Sequence, residues 1–339
     1  VDPSQEAKKM RRRLVASFDV GSGSTKAEVY QLTYDTSTQR WLVDAEPLLS
    51  LVEDVLLAHD LETQSPAECL SESITNALTQ AICRLADKAR ATGPIDVLDG
   101  VATAVFRRAK NANEVLERAS RESGVSLRVI DQQAEGRLGW ATCRALHPDA
   151  VLAWDSGGAS FQISGECQGE LSVFEGPWGA STATAALIRE VRGSEFARNS
   201  SVNPVSMEEC MKLKRLLVER MPDPPVWLAG ALPGRVGCFG GDTSAFNVAR
   251  LVLAADGVDN ADVRISRETL TLALERQCAG KSDDELIARG FELQVDMTVP
   301  KVVLVLAVLE HVLGDGADVK YRPANGSCAG VAMQLAFSL

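Results

Sequence analysis

No apolar run in the 339 residues reaches the roughly 18–20 positions needed to span a bilayer. The longest, Val302–Leu309, is closed by Glu310 and His311 and reads as a core helix. No two of the eight cysteines, at 69, 83, 143, 167, 210, 238, 278 and 328, stand at the two-residue spacing of a zinc or redox pair. They read as buried free thiols of a reducing compartment. Histidine is scarce: His59, His147 and His311 are the full set, none in a metal-ligand pattern, which argues against histidine catalysis and a zinc site. Basic excess is missing too. Thirty-five Lys and Arg stand against 46 Asp and Glu, a net charge of −11, whereas nucleic-acid binders usually carry a basic face. A phosphorylated ligand stays open, because amides, an arginine and a divalent cation hold an anion locally against the global charge. Val1–Arg13 is polar and basic, lacks the apolar centre of a signal peptide, and is set aside from fold reasoning. The expectation is a cytoplasmic protein with neither a membrane nor a nucleic acid as partner.

What is present is an ordinary globular balance, 45% hydrophobic and 24% charged, in a chain long enough for two cores. Leu14–Asp19 is a short apolar strand, followed by a glycine-rich turn and the alternating Lys26–Leu32. Trp41–Ala45 reads as a further strand. Leu70, Ile74, Leu78, Ile82 and Leu85 recur at helical spacing, with Ser65-Pro66-Ala67-Glu68 as the expected start and Gly93-Pro94 as the stop. Val97–Val105 and Ser126–Ile130 read as strands, Ala112–Ser123 and Ala134–Arg144 as helices. Val151–Trp154 then restarts the opening pattern, and strands are expected at Val226–Ala229, Arg235–Cys238 and Asp318–Tyr321. Helices are expected over Ser181–Val191, Met207–Arg220, Ala245–Ala254, Arg267–Cys278, Asp283–Ala288, Pro300–Leu313 and Gly330–Leu335.

The chemistry-bearing residues gather in three turns. Asp19-Val20-Gly21-Ser22-Gly23-Ser24-Thr25-Lys26 follows an apolar strand. Glycines let a backbone approach a ligand so that successive N–H groups point at phosphate oxygens, and Asp19 could hold a water of a Mg²⁺ shell. Taken alone, the same string is also an ordinary hairpin turn. A second copy, Asp155-Ser156-Gly157-Gly158-Ala159-Ser160, again follows an apolar strand, and a third turn, Gly237–Thr243, includes Gly240 and Gly241 before a helix. Two copies of strand, Asp, glycine turn and strand suggest a duplicated fold with two lobes facing each other.

These stretches resemble the exopolyphosphatase/guanosine pentaphosphate phosphohydrolase (Ppx/GppA) family. Asp19–Ser24 looks like its first phosphate loop and Asp155–Ser160 like its second. Ala102-Thr103-Ala104-Val105-Phe106-Arg107-Arg108-Ala109-Lys110-Asn111 matches its stretch of Ala-Thr, an apolar pair, Arg, Ala and Asn. Val129–Leu138 matches the stretch that holds its catalytic glutamate, and Gly237–Thr243 matches its third glycine turn. The order agrees from about Leu14 to about Gly330. The resemblance implies an α/β, duplicated ribonuclease-H-like fold of the actin/Hsp70/sugar-kinase (ASKHA) type, two lobes around a cleft. Residues 12–135 would form one lobe, completed by a C-terminal helix over 329–339, and 136–328 the other.

The same resemblance implies roles. Glu135 is the expected general base that orients and deprotonates water, its plain alternative being an exposed helix acid. Arg107 is the expected phosphate clamp, its alternative a surface cation, with Arg108 the better surface candidate. Gly21, Ser22, Gly23, Ser24, Gly157, Gly158, Ala159, Ser160, Gly240 and Gly241 would supply phosphate-binding donors. Asp155, and secondly Asp19, would hold Mg²⁺ or another divalent cation. The chain departs from the family at Gly23 (usually Asn), Ser156 (usually apolar) and Ala159 (usually Gly). It departs also at Gly326-Ser327-Cys328-Ala329-Gly330, where the family's Arg and Glu are replaced. The expected activity is Mg²⁺-dependent removal of terminal phosphate from inorganic polyphosphate or a guanosine penta/tetraphosphate-like nucleotide. An ATP-dependent phosphotransferase and a non-hydrolysing phosphate-ligand sensor are the alternatives, and the resemblance allows a homodimer.

Overall fold

Strands dominated by Val, Ile, Leu and Phe are expected where a sheet is covered on both faces, and residues 15–20 are buried without interruption. The computed structural model describes residues 11–44, 46–63, 68–195, 201–228, 235–258 and 264–338. It contains two compact units. The first is Val1–Ile130 with Ser327–Leu339, the second Asp131–Gly326.

In the first unit β1 (Arg12–Val20), β2 (Ser24–Asp35), β3 (Arg40–Val43), β4 (Leu49–Asp54), β5 (Val97–Ala102) and β6 (Ser126–Val129) form a six-stranded sheet. Its order is β3-β2-β1-β5-β6, with β4 also paired to β2. β1, β2 and β3 are antiparallel neighbours, while β1, β5 and β6 run parallel. Helix Glu72–Arg90 covers one face with Leu78, Ile82, Leu85 and Ala89. Helix Cys328–Ser338 packs on the other, against Val15, Tyr30 and Leu32.

The second unit repeats this plan. β7 (Leu152–Ser156), β8 (Phe161–Cys167), β9 (Glu170–Gly176), β10 (Val236–Gly240), β11 (Arg264–Ser266) and β12 (Asp318–Pro323) are ordered β11-β12-β10-β7-β8-β9. Read from its antiparallel side, β9-β8-β7-β10-β12 matches β3-β2-β1-β5-β6 in order and direction. Trp154 anchors the core edge-to-face against Phe246, with ring centroids 4.8 Å apart. All residues of helix Thr298–Val308 are buried, as suits a helix that is apolar nearly all round.

Three expectations fail for identifiable reasons. The helix expected from Ser65 starts at Glu72, capped by Ser71; Ser65–Ala67 lie outside the described residues, and Glu68 has a left-handed φ of 51°. Tertiary hydrogen bonds hold this stretch extended: Lys110 N–H donates to Glu68 O at 2.8 Å, and Asn111 clamps both backbone groups of Leu70 at 2.9 Å. The strand expected through Val105 stops at Ala102, because Phe106 N–H and Arg107 N–H take Thr103 O at 2.9 and 3.3 Å and start helix Ala104–Arg108. Val226–Leu228 is a 3₁₀ turn, closed by Leu228 N–H on Pro225 O at 2.9 Å, rather than a strand; Ala229 lies outside the described residues. The strands β4, β9 and β11 had no expectation.

Asn111, inside a stretch that resembles a ligand-binding family, thus serves the backbone. Asn111→Ala is expected to cost about 1–3 kcal/mol, by leaving Leu70 N–H and C=O without their partner, read by chemical denaturation.

Lys301 is 1% exposed and burial lowers its pKa to about 8, with Asp296 opposing; its Nζ donates to Gln294 Oε1 at 2.7 Å. The folded value lies below the ordinary lysine value, so between pH 8 and about 10.5 the unfolded chain holds the extra proton and folding is favoured by rising pH. Lys301→Met removes that dependence. Its stability advantage over the native chain should therefore be largest below pH 8 and shrink toward pH 10.5 in parallel denaturation curves.

Candidate active site

Two features of the second unit build the site. The first is the turn between β7 and β8. Gly157 N–H donates to Ser160 O at 2.9 Å, which closes the turn. Its carbonyls are then drawn toward the start of helix Ala180–Ala186: Ala180 N–H donates to Gly157 O at 3.0 Å and Ser181 N–H to Gly158 O at 2.7 Å. A peptide is planar and trans, so a carbonyl pulled one way sends the N–H of the same peptide the other way. The N–H groups of Gly158 and Ala159 are thereby turned away from the helix, as an anion-binding turn requires. Gly179 makes the approach feasible. A Cβ there would lie 2.4 Å from Ala159 N and from Gly158 C.

The second feature is helix Gln132–Leu146, N-capped by Asp131, whose side chain accepts from Ala134 N–H at 2.7 Å. Its face toward the sheet has glycines. A Cβ on Gly136 would meet Val173 Cγ1 at 2.4 Å, and one on Gly139 would meet Asp155 Cβ at 3.3 Å. Ser164 Oγ donates to Gly136 O at 2.8 Å. This close packing presses Glu135 onto β8, where it is 8% exposed and accepts from Gln162 Nε2 at 3.3 Å. Gln162 Nε2 also donates to Ser160 Oγ at 3.3 Å. Asp155 stands opposite Gln162 in the β7–β8 ladder, so their side chains share a face. Glu135, Asp155, Gln162 and Ser160 thus converge beside the glycine turn. Glu135 is a buried residue of this cluster, not an exposed helix acid.

The third turn sits at the carboxyl end of the same sheet, where open α/β sheets bind ligands. Gly240 ends β10, and its carbonyl accepts from Tyr321 Oη at 2.8 Å and Ala324 N–H at 3.2 Å. A Cβ on Gly240 would lie 2.5 Å from Ser244 Cβ, the residue that caps helix Ala245–Ala255. Gly240 therefore lets that helix start against the strand, and Gly241 N–H and its neighbours follow at the helix mouth.

In the first unit Gly21 N–H closes the turn on Ser24 O at 3.0 Å, and Ala58 N–H and Val55 N–H take Ser22 O and Gly23 O at 2.8 and 3.1 Å. By the planar-peptide argument, the N–H groups of Gly23 and Ser24 point the opposite way. Nothing lies within 4 Å of a Cβ placed on Gly23, so glycine there answers no steric demand. Asp19 is buried, with its Oδ2 accepting from Ser327 N–H at 3.0 Å and Lys26 Nζ 3.7 Å away. Arg107 is half-buried on helix Ala104–Arg108, and its Nη1 donates to Ile130 O at 3.1 Å. Arg108 is exposed and pairs with Glu62 at 2.7 Å.

The donor set suits a hard cation unequally. Mg²⁺ commonly takes one or two protein carboxylates and completes its shell with water and phosphate oxygen. Asp155, with Glu135 on the same face, fits that pattern, while Asp19 already has an ammonium and a backbone N–H on it. Among the described residues no three His, Cys, Asp or Glu side chains converge as a ready metal cage. The cysteines are free thiols; burial pushes Cys143, Cys210 and Cys278 up to about 12, so they stay protonated at neutral pH.

Sequence reasoning missed Gln162, Gly136, Gly139 and Gly179. Gln162 had a signal, a long polar side chain between Phe161 and Ile163 on a strand directly after a glycine turn. The glycines had none beyond their identity, because what they approach is distant in sequence.

Two sheets of identical strand order, each with a glycine turn between its first antiparallel strands, define the duplicated ribonuclease-H-like class shared by actin, Hsp70 and sugar kinases. Residues 43–185 match the model of the Ppx/GppA phosphatase family. The fold is similar to that of an Aquifex aeolicus Ppx/GppA family member, at 17% identity over 96% of this chain and 98% of that one, TM-score 0.66. An exopolyphosphatase from Cytophaga hutchinsonii matches at 14% identity over 96% and 99% of the two chains, TM-score 0.62. A nucleoside triphosphate hydrolase from Neospora caninum matches at 11% over 97% and 93%, TM-score 0.60. No curated protein sequence matches. Among the described residues no helix is long and apolar enough to cross a membrane.

Gly179→Ala puts a methyl group into the backbone of Gly158 and Ala159, which cannot yield as a side chain would. Calorimetric titration with tripolyphosphate should show affinity reduced by at least about tenfold, with the far-ultraviolet circular dichroism of the native fold retained.

Proposed function

We propose that this chain is a phosphohydrolase that removes the terminal phosphate from inorganic polyphosphate or from a guanosine penta- or tetraphosphate-like nucleotide. The observation that carries the reading is Glu135: a buried carboxylate, held by Gln162, beside Ser160 of a turn whose N–H groups face outward. In-line phosphoryl transfer to water needs an aligned nucleophile and charge stabilisation more than covalent help. Glu135 accepts the proton as water attacks the terminal phosphorus. The bridging P–O bond breaks, releasing phosphate and the chain shortened by one unit. The N–H groups of Gly158 and Ala159 and the Ser160 hydroxyl hold phosphate oxygens. Asp155 is the carboxylate that would hold Mg²⁺, which would supply charge neutralisation on the phosphate. In the first unit the turn Gly21–Ser24, of the same build, is a further phosphate-binding turn, and Arg107 is a guanidinium suited to phosphate. Gln132 supports an anionic ligand as well. Its Nε2 is buried three residues before Glu135 and has no hydrogen-bond partner among the described residues, and a phosphate oxygen is an acceptor of the right kind.

Phosphate release should be measured with Mg²⁺ from tripolyphosphate, long-chain polyphosphate, guanosine pentaphosphate and ATP, for the native chain and Glu135→Gln. Hydrolysis that falls at least about 100-fold in the variant is the expected result, and the preferred substrate then names the activity. Binding of one of these ligands with no release from any of them would replace the hydrolase reading with that of a phosphate-ligand sensor.

A further inference from the structure

Gln162 is 1% exposed, yet it carries one of the few long polar side chains in the interior of the second unit. A residue so placed must satisfy its amide internally, and it does so with two groups of the proposed site. Its Nε2 lies 3.3 Å from Glu135 Oε2 and 3.3 Å from Ser160 Oγ. An ionised carboxylate only accepts, so the nitrogen, not the oxygen, faces Glu135, and this fixes which way the amide is turned. One amide hydrogen goes to Glu135 and the other to Ser160. A hydroxyl oxygen that accepts from an amide keeps its own hydrogen for a different acceptor. The register adds a third relation, for Gln162 stands directly across from Asp155.

We propose that Gln162 is the positioning residue of this site, setting the polarity of both neighbours at once. It holds the Glu135 carboxylate in the orientation that accepts the proton of water, and it turns the Ser160 hydroxyl into a donor toward phosphate. This rests on the reading of Glu135 as the base; the Ser160 half does not need turnover. A leucine at 162 would fill similar space and offer no N–H to either partner. A glutamate would offer none either, and would set a further carboxylate against Glu135. The contrasting role is structural only: an interior amide that happens to find two partners and matters for folding alone.

The two roles separate in a mutant cycle with Gln162→Leu, Glu135→Gln and the double variant, assayed with tripolyphosphate and Mg²⁺ and titrated calorimetrically with tripolyphosphate. If Gln162 acts through Glu135, Gln162→Leu alone lowers kcat by about 10–100-fold. Added to Glu135→Gln it lowers kcat by no more than about twofold further, since residues acting as a unit are not additive. The Ser160 half predicts that the double variant binds tripolyphosphate about 5–10-fold more weakly than Glu135→Gln does. Multiplicative losses in kcat, or unchanged kcat and affinity in Gln162→Leu, overturn the proposal. Should leucine lower the melting temperature, Gln162→Met, unbranched and also without an N–H, takes its place. A native chain that binds tripolyphosphate but releases no phosphate removes the hydrolase reading and leaves affinity to decide. Weaker binding in Gln162→Leu than in the native chain then supports Gln162, and equal binding overturns it. A native chain that neither binds nor hydrolyses tripolyphosphate overturns both.

Discussion

Helix Gln132–Leu146 comes closest to the second sheet where glycines leave it without side chains, and the place of Glu135 depends on that approach. With Gly136 against Val173 and Gly139 against Asp155, the helix settles close enough for Glu135 to meet Gln162. A larger residue at Gly136 would have to displace the helix or Val173, and a carboxylate displaced by an ångström is no longer a hydrogen-bond partner. The same economy recurs at Gly179, which lets a helix draw in the carbonyls of the glycine turn and so aim its N–H groups outward. In both cases a missing Cβ is translated into the orientation of a polar group several residues away.

The duplication makes the division of labour visible. Asp19 and Asp155 occupy the same place in their sheets, at the end of the central strand before a glycine turn. Their cross-strand partners differ. Lys26 stands opposite Asp19, and Gln162 stands opposite Asp155. The helix laid on the corresponding face differs as well: Cys328–Ser338 brings the Ser327 backbone N–H to Asp19, whereas Gln132–Leu146 brings Glu135 to the neighbourhood of Asp155. A carboxylate matched by an ammonium and an N–H is a structural tie. The same strand–turn–strand unit therefore sets its aspartate among different partners in the two units.

Much of this could be seen beforehand, though unevenly. The three glycine turns stood out because Asp, Gly and Ser after an apolar strand form a local pattern, and local patterns survive folding. Glu135 and Arg107 were found through resemblance to a family rather than through any periodicity. Asn111 lay in the same resembling stretch, yet its amide serves Leu70, a role visible only once Leu70 had come from 41 residues away. The helix start was misplaced by six residues for the same reason: Ser65-Pro66 is a sound local start, overruled by hydrogen bonds from Lys110 to Glu68 and from Asn111 to Leu70 that precede the Ser71 cap.

By itself the sequence determined the repeated strand–turn–strand unit and the three glycine turns, because each is written in residues that are neighbours along the chain. Tertiary structure alone decided that Ser327 and Lys26 meet Asp19, that Gln162 links Glu135 to Ser160, and that Gly136, Gly139 and Gly179 are places of contact. These depend on which strand lies across from which and how near a helix can come, distances of a few ångströms between residues far apart in sequence, to which composition and periodicity are blind.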